Sequence, residues 1–295
     1  MRLGLIVLLC LLNTGCALWR RDAEEPVENG PRKAKAEPVL KPSEALKPEK
    51  LAVASPITDH FYMRGIYFQP SVTTELRLDP AVAVPGSLLK VEDDLGLDDA
   101  LNQGRLEFDL RMRDRNHLRV DYFKVDRFHQ QPLPRQIVFG DFVFAQNTLF
   151  RSTLHWRVLN LTYTYSFFKS DRFEGGLGLG LHLIDAHAEG REPGTNNIEK
   201  ADKVGVFPTI AANVAFRISK RWAVTARGQS FSASPEDFTG TLSDYHGDIQ
   251  YRWRRNFTVG LGYSKFVTEL LVQDDQPLVF NMDTSGPEMF FRVSF

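Results

Sequence analysis

The sequence predicts an all-β fold, an antiparallel up-and-down transmembrane β-barrel of about ten strands, with eight or twelve as alternatives. Three observations predict it. After residue 59, apolar and polar residues alternate with period two in one run after another. The connections between these runs switch between tight turns and long loops. The chain also stops on "GPEMFFRVSF", keeping its apolar period to the last residue, where a terminus is normally frayed and polar.

Composition narrows the class before any element is placed. The formal net charge of −1 gives no attraction for nucleic acid. An excess of aromatics, with 22 Phe and 8 Tyr, favours strands. Both cysteines, Cys10 and Cys16, fall in the first sixteen residues, which leaves the body no thiol for a disulfide or a zinc site.

Residues 1–16 read as an export signal: one basic residue, an apolar run from Leu3 to Leu12, then small residues. The run is too short to cross a bilayer as a stable helix. In "LNTGC", Thr14 and Gly15 precede Cys16, and the stretch resembles the lipobox of bacterial lipoproteins. Asn13 stands where that family usually has Leu. The resemblance implies that Cys16 is acylated and becomes the mature N-terminus; ordinary cleavage after Ala17 is the alternative. Residues 17–58, rich in Pro, Lys, Glu and Ala, cannot bury enough surface to offset their ordering entropy. They are expected to be a disordered periplasmic spacer, kept extended by their Lys-Pro and Glu-Pro pairs.

The barrel is assigned to 59–295. In "GRLEFDLRMR", Leu106, Phe108, Leu110 and Met112 take one face and Arg105, Glu107, Asp109 and Arg111 the other, which only a strand achieves. Ile66, Phe68, Val72 and Leu76 are assigned to the apolar face of a single first strand. Leu177, Leu179, Leu181 and Leu183 alternate with Gly176, Gly178, Gly180 and His182; small inward residues there leave room for a neighbour's arginine. Val204 to Ile218 and Phe257 to Tyr263 supply two more apolar faces.

Tight turns are expected at "RDRN", "KSDR", "SKR" and "RR", near Arg113, Ser170, Lys220 and Arg254. Four such turns, with both termini on their side, give twice five, hence ten strands. These are expected to start near Arg64, Arg105, His117, Arg151, Phe173, Val204, Trp222, Leu242, Phe257 and Glu288. Residues 79–103, 188–202 and 272–287 read as long loops on the opposite side. The strand-like "RQIVFGDFVFAQNTLF" is either a hairpin above the membrane or two further barrel strands.

Met289, Phe291, Val293 and Phe295 share the outward face of the last strand. With its C-terminal Phe, this strand resembles the signal read by the assembly machinery of bacterial outer-membrane β-barrels. The resemblance implies a Gram-negative outer-membrane location, contact with outer-membrane lipid and lipopolysaccharide, and recognition by that machinery during biogenesis. Physically, the last strand must pair with the first so that neither edge is left open.

The polar faces point inward and carry both signs of charge: Arg105, Glu107, Asp109, Arg111, Arg119, Asp121, Arg217, Arg227, Asp248, Arg252 and Arg292. The leading expectation is a charge-filled interior plugged by Arg–carboxylate pairs, with a non-enzymatic structural or interaction role in the envelope. A selective pore lined by the same charges is the first alternative. The second is a protease: Asp244 and His246 in "SDYHGD" share a face, as an activated base requires, and resemble the Asp–His half of the omptin proteases. The acidic pair that omptins also need would come from Asp93, Asp94, Asp98 and Asp99 in "EDDLGLDD", whose spacing departs from the family's. The same carboxylates are weak metal candidates, since their spacing is not that of an EF-hand. No cofactor motif is recognised. Deleting Phe295 is expected to lower barrel yield in cells more than refolding yield in detergent, because it removes recognition more than stability; equal losses in the two settings would refute the signal.

Overall fold

A computed structural model of the protein describes residues 56–80, 85–234, 238–273 and 277–295. The export signal, Cys16 and the spacer up to residue 55 lie outside the described residues. After a 3-10 turn at Pro56–Thr58 come β1 (Phe61–Phe68), β2 (Ser71–Leu78), β3 (Leu89–Lys90), α1 (Val91–Leu95), β4 (Gln103–Met112) and β5 (Asn116–Pro132). β6 (Ile137–Phe139), β7 (Phe142–Phe144), β8 (Leu149–Lys169), β9 (Phe173–Arg191) and β10 (Ile198–Arg217) follow. The last four are β11 (Trp222–Ala233), β12 (Phe238–Arg252), β13 (Phe257–Val272) and β14 (Leu278–Ser294).

Ten of these strands close a ring, β1-β4-β5-β8-β9-β10-β11-β12-β13-β14, sealed by antiparallel pairing of β14 with β1. Tyr62 opposes Ser294 in that closing ladder, so both ends of the barrel emerge beside the tight turns. Those turns fall where the sequence places them, between β4 and β5, β8 and β9, β10 and β11, and β12 and β13. The strand-like insert resolves as the hairpin β6–β7, a sheet of its own outside the ring.

Three expectations need correction. The stretches 188–202 and 272–287 are mostly strand, because β9 and β10 extend to Arg191 and from Ile198, and β14 begins at Leu278 rather than Glu288. The expected first strand is two: β1 ends at Phe68, and after Gln69 and Pro70 the chain resumes as β2, which pairs with the upper part of β14 above β1. Finally, Ile66, Phe68, Val72 and Leu76 all point into the barrel. In β1 the outward residues are Met63 and Tyr67, with Gly65 beside Phe291 and Leu106.

Most of these corrections share one cause: the polarity of the wall reverses partway along its length. Ile66 and Phe68 instead form a small inward cluster with Phe290 beside Arg105 and Glu288. On the turn side of β8, Tyr165, Tyr163, Leu161 and Leu159 face outward while Ser166, Thr164, Thr162 and Asn160 face inward. Beyond Leu159 the outward residues become Arg157, His155, Thr153 and Arg151, and the inward ones Val158, Trp156 and Leu154. β9 does the same, from Leu177, Leu179, Leu181 and Leu183 to Asp185, His187, Glu189 and Arg191. The outward apolar stretch of β9, Phe173 to Leu183, matches the roughly 9–11 residues that a tilted strand needs to cross hydrocarbon. Immediately past it, cross-strand ion pairs appear on the outer surface: Arg157–Asp185 at 3.7 Å and Lys265–Asp283 at 2.9 Å.

The projecting half is therefore an inside-out continuation, a crown with a water-facing exterior and an oily filling. Its core joins inward residues of β5, β8, β12 and β14 to Leu89, Val91 and Leu95 of the β3–α1 segment and to Ile137, Phe139 and Phe144 of the hairpin. Trp156, fully buried, stacks on Phe280 with ring centroids 4.8 Å apart.

Closure also changes character with height. β4 pairs with β5 only up to Phe123, while β5 runs on to Pro132. Above that level the space between β5 and β2–β3 is bridged by side chains instead of a ladder. Arg127 reaches Glu92 at 2.5 Å, Thr74 Oγ1 at 2.5 Å and the Asp98 carbonyl at 3.3 Å, and Gln131 donates to the Asp94 carbonyl.

The reversal makes a position-dependent prediction. Leu179→Arg, in the apolar band, should lower the stability of barrels folded into lipid vesicles by about 2–4 kcal/mol, and Thr153→Arg on the crown's outer face by about 1 kcal/mol or less. Equal costs in a denaturant titration would contradict the boundary.

Candidate functional site

The lower lumen, enclosed by the apolar band, holds the residues that carry chemistry. They come together because the strands there mostly alternate an apolar residue outward with a polar one inward, Ile66, Phe68 and Phe290 being apolar exceptions, and the ring makes the inward sets converge.

Glu107 lies at the centre and is fully buried. It accepts a hydrogen bond from Tyr62 at 2.8 Å and pairs with Arg227 at 2.6 Å and Arg64 at 3.7 Å. Arg64 continues to Asp248 at 2.9 Å and lies over the Phe290 ring at 3.9 Å. Arg105 grips Asp121 through Nε at 2.7 Å and Nη2 at 2.5 Å, and also faces Asp244 at 3.4 Å. Such forked, charge-assisted contacts are the strong kind, and burial makes each member dependent on its partners.

Nearer the turns, Glu174 gathers Arg111 at 2.9 Å, His117 at 2.9 Å and Ser166 at 2.6 Å. Asp109 holds His117 at 3.3 Å and Arg119 at 3.4 Å. At the mouth, Asp59 bonds to both Arg252 and Arg292, and Arg111 donates to the carbonyls of Ile57 and Asp59. The segment just before β1 thus corks the barrel from below.

Nearly all the expected lumen charges fall in this network; Arg217 is half-buried at the end of β10. Sequence reasoning missed Arg64, His117, Asp59, Arg127 and Glu92. His117 shares the inward period of Arg119 and Asp121, and that signal was available. Arg64 shares its face with apolar Ile66 and Phe68, so that face carries no polar period to mark it. The glycines of β9 do make room, but for Gln229, Thr209 and Asn213 instead of an arginine.

His246 Nε2 lies 2.8 Å from Asp244 Oδ1, as a base and its orienting carboxylate would. Both are buried, 4% and 2% exposed, and both have further partners: Glu288 for His246, Arg105 and His182 for Asp244. The acidic stretch meant to complement them lies beyond the apolar layer, since α1 contributes Val91 and Leu95 to that layer. Of its carboxylates, Asp94 pairs with Arg135 at 2.9 Å and accepts the Lys90 amide at 2.9 Å, while Asp93, Asp98 and Asp99 are exposed. Burial raises the Asp94 carboxyl, but the hydrogen bonds from Arg135 and Lys90 prevail and hold it below the ordinary aspartate range. Among the described residues, no three metal-ligating side chains converge on one point.

No known protein-family model matches the chain, and no curated protein does. Solved structures do. The outer membrane protease OmpT from Escherichia coli is 11% identical, with TM-score 0.46, covering 81% of this chain and 98% of that one. The transport unit of the autotransporter AIDA-I from Escherichia coli is 8% identical, with TM-score 0.41, covering 85% and 92%. The toluene transporter TodX of P. putida is also 8% identical, with TM-score 0.32 and coverage of 80% and 90%. At this distance none of them carries an argument about activity.

The network predicts its own weak point. Glu107→Ala removes the carboxylate that Arg64 and Arg227 share in a buried site, leaving Arg64 with Asp248 and Arg227 with the more distant Asp121. It should cost about 3–5 kcal/mol, read as a lowered urea midpoint of the folded barrel. A change below about 1 kcal/mol, the range of exposed pairs, would show that water replaces the carboxylate freely.

Proposed function

We propose that this chain is a non-enzymatic outer-membrane β-barrel protein of a Gram-negative bacterium, with a sealed interior and a structural or contact-making role in the envelope. The observation that carries this reading is the double filling of the lumen. An apolar core packs the crown, and paired arginines and carboxylates fill the membrane level beneath it. Open aqueous channels belong to wider barrels of about 16–18 strands.

Orientation follows from the same asymmetry. The short turns and both barrel ends face the periplasm, where the spacer would begin, and the crown faces outward, as in other barrels with short periplasmic turns. Phe295 completes the closing seam, its amide bonded to the Phe61 carbonyl at 2.9 Å and its ring 5.9 Å from that of Phe61. Recognition of this end by the assembly machinery, and acylation of Cys16, belong to the same proposal. The crown's polar outer wall is what a partner or the lipopolysaccharide layer would meet. It carries a row across four strands, Asp126, His155, His187 and Asp202, with the two imidazoles stacked at 5.6 Å.

Purified protein in a planar bilayer should show no steady conductance above the bare membrane. A stable conductance of nanosiemens size would overturn the sealed reading in favour of a pore.

A further inference from the structure

The cork at the short-turn mouth has the chemistry of a bound ligand. Asp59 belongs to no strand; it lies between the 3-10 turn and β1. Its Oδ2 is shared by two guanidinium groups, Arg252 of β12 and Arg292 of β14. A third, on Arg111, takes the carbonyls on either side of Thr58. Behind the cork lies a polar cavity of about 60 Å³, whose wall includes Arg64, Arg119 and Arg227. Of the side chains lining it, five are arginines and three carboxylates, Asp59 among them. Arg64, Arg111, Arg119 and Arg227 already pair with Glu107, Asp248, Glu174 and Asp109, so the charge of Asp59 serves Arg252 and Arg292 at the mouth.

We propose that this mouth is a binding site for a small soluble oxyanion, a phosphate or a carboxylate, and that Asp59 occupies it in place of the ligand. Two guanidiniums converging on one oxygen form the arrangement that recognises such groups. The arginines are anchored in the rigid wall, whereas their present occupant is a connecting segment, so the carboxylate is the part that can leave. The guanidiniums face the lumen, which selects a dissolved anion over a lipid headgroup. As a tethered competitor, Asp59 acts at an effective concentration in about the millimolar range. The site therefore answers only to an anion abundant enough, or multiply charged enough, to displace it. Displacement draws Ile57 and the 3-10 turn away from β10, β11 and β12, beside which they pack, and widens the access of the cavity to the solvent below.

The test has two arms. In the wild-type chain in detergent, hydrogen exchange of peptides covering residues 56–62 is compared in inorganic phosphate and in chloride at equal ionic strength. Phosphate should accelerate it at least about threefold, while peptides from the crown stay unchanged. In Asp59→Asn, titration calorimetry should show phosphate binding at least about tenfold tighter than in wild type, and adding Arg292→Ala should abolish it. Unchanged exchange in wild type overturns the proposal even where Asp59→Asn does not fold. Asp59→Asn that folds and binds phosphate no more tightly than wild type overturns it as well. Neither result bears on conductance, so failure here is distinct from failure of the sealed-barrel reading.

Discussion

The ladder between β1 and β14 is the constraint on which the rest depends. In hydrocarbon no water can satisfy a free N–H or C=O, so a spanning sheet must have no edge. Seven residues of β1, from Tyr62 to Phe68, meet seven of β14, from Glu288 to Ser294. This fixes which residues face inward around the whole ring, because a slip of one residue would exchange the faces. Arg292 and Arg64 point inward, and Phe291 and Met63 outward, only in this register. The closing strand cannot fray without opening the lumen network to lipid.

A second constraint, water on one side of the wall and oil on the other, acts differently at the two levels. Within the band the oil is outside, and the lumen must satisfy its own charges. Above it the exterior is wet, and the cheapest filling is apolar. The reversal lets one continuous set of strands serve as a membrane barrel and as a water-exposed barrel stacked end to end. It also divides the interior into two compartments with unlike chemistry, an ion-paired one below and a hydrocarbon-like one above.

Much of this was legible in the residues. Period-two alternation, the four tight turns and the terminal strand give the ring and its count. Arg105 through Arg111 against Asp121, and Asp244 through Arg252, mark the lower lumen. What failed to show was the crown. Its outward Glu189 and Arg191 and inward Ala188 and Gly190 look like a loop when oily residues are expected outside, because the face that packs is lined by small side chains. Ile66 through Leu76 misled for the opposite reason, being apolar but inward. Asp59 was invisible in another way: one carboxylate beside a spacer carries no periodic signal, and its role exists only because β12 and β14 bring Arg252 and Arg292 to it from almost two hundred or more residues away along the chain.

The place where the β4–β5 ladder stops at Phe123 has a mechanical consequence. A tube with a continuous wall resists torsion strongly, whereas the same tube slit lengthwise twists easily, because shear no longer circulates around the section. The membrane level is the intact tube. The crown is the slit one, its gap between β5 and β2–β3 spanned by Arg127, Glu92 and Thr74 like stitches across a cut. Torque on the outer end would then be absorbed as compliance in the crown, leaving the ion-paired section in the membrane undistorted.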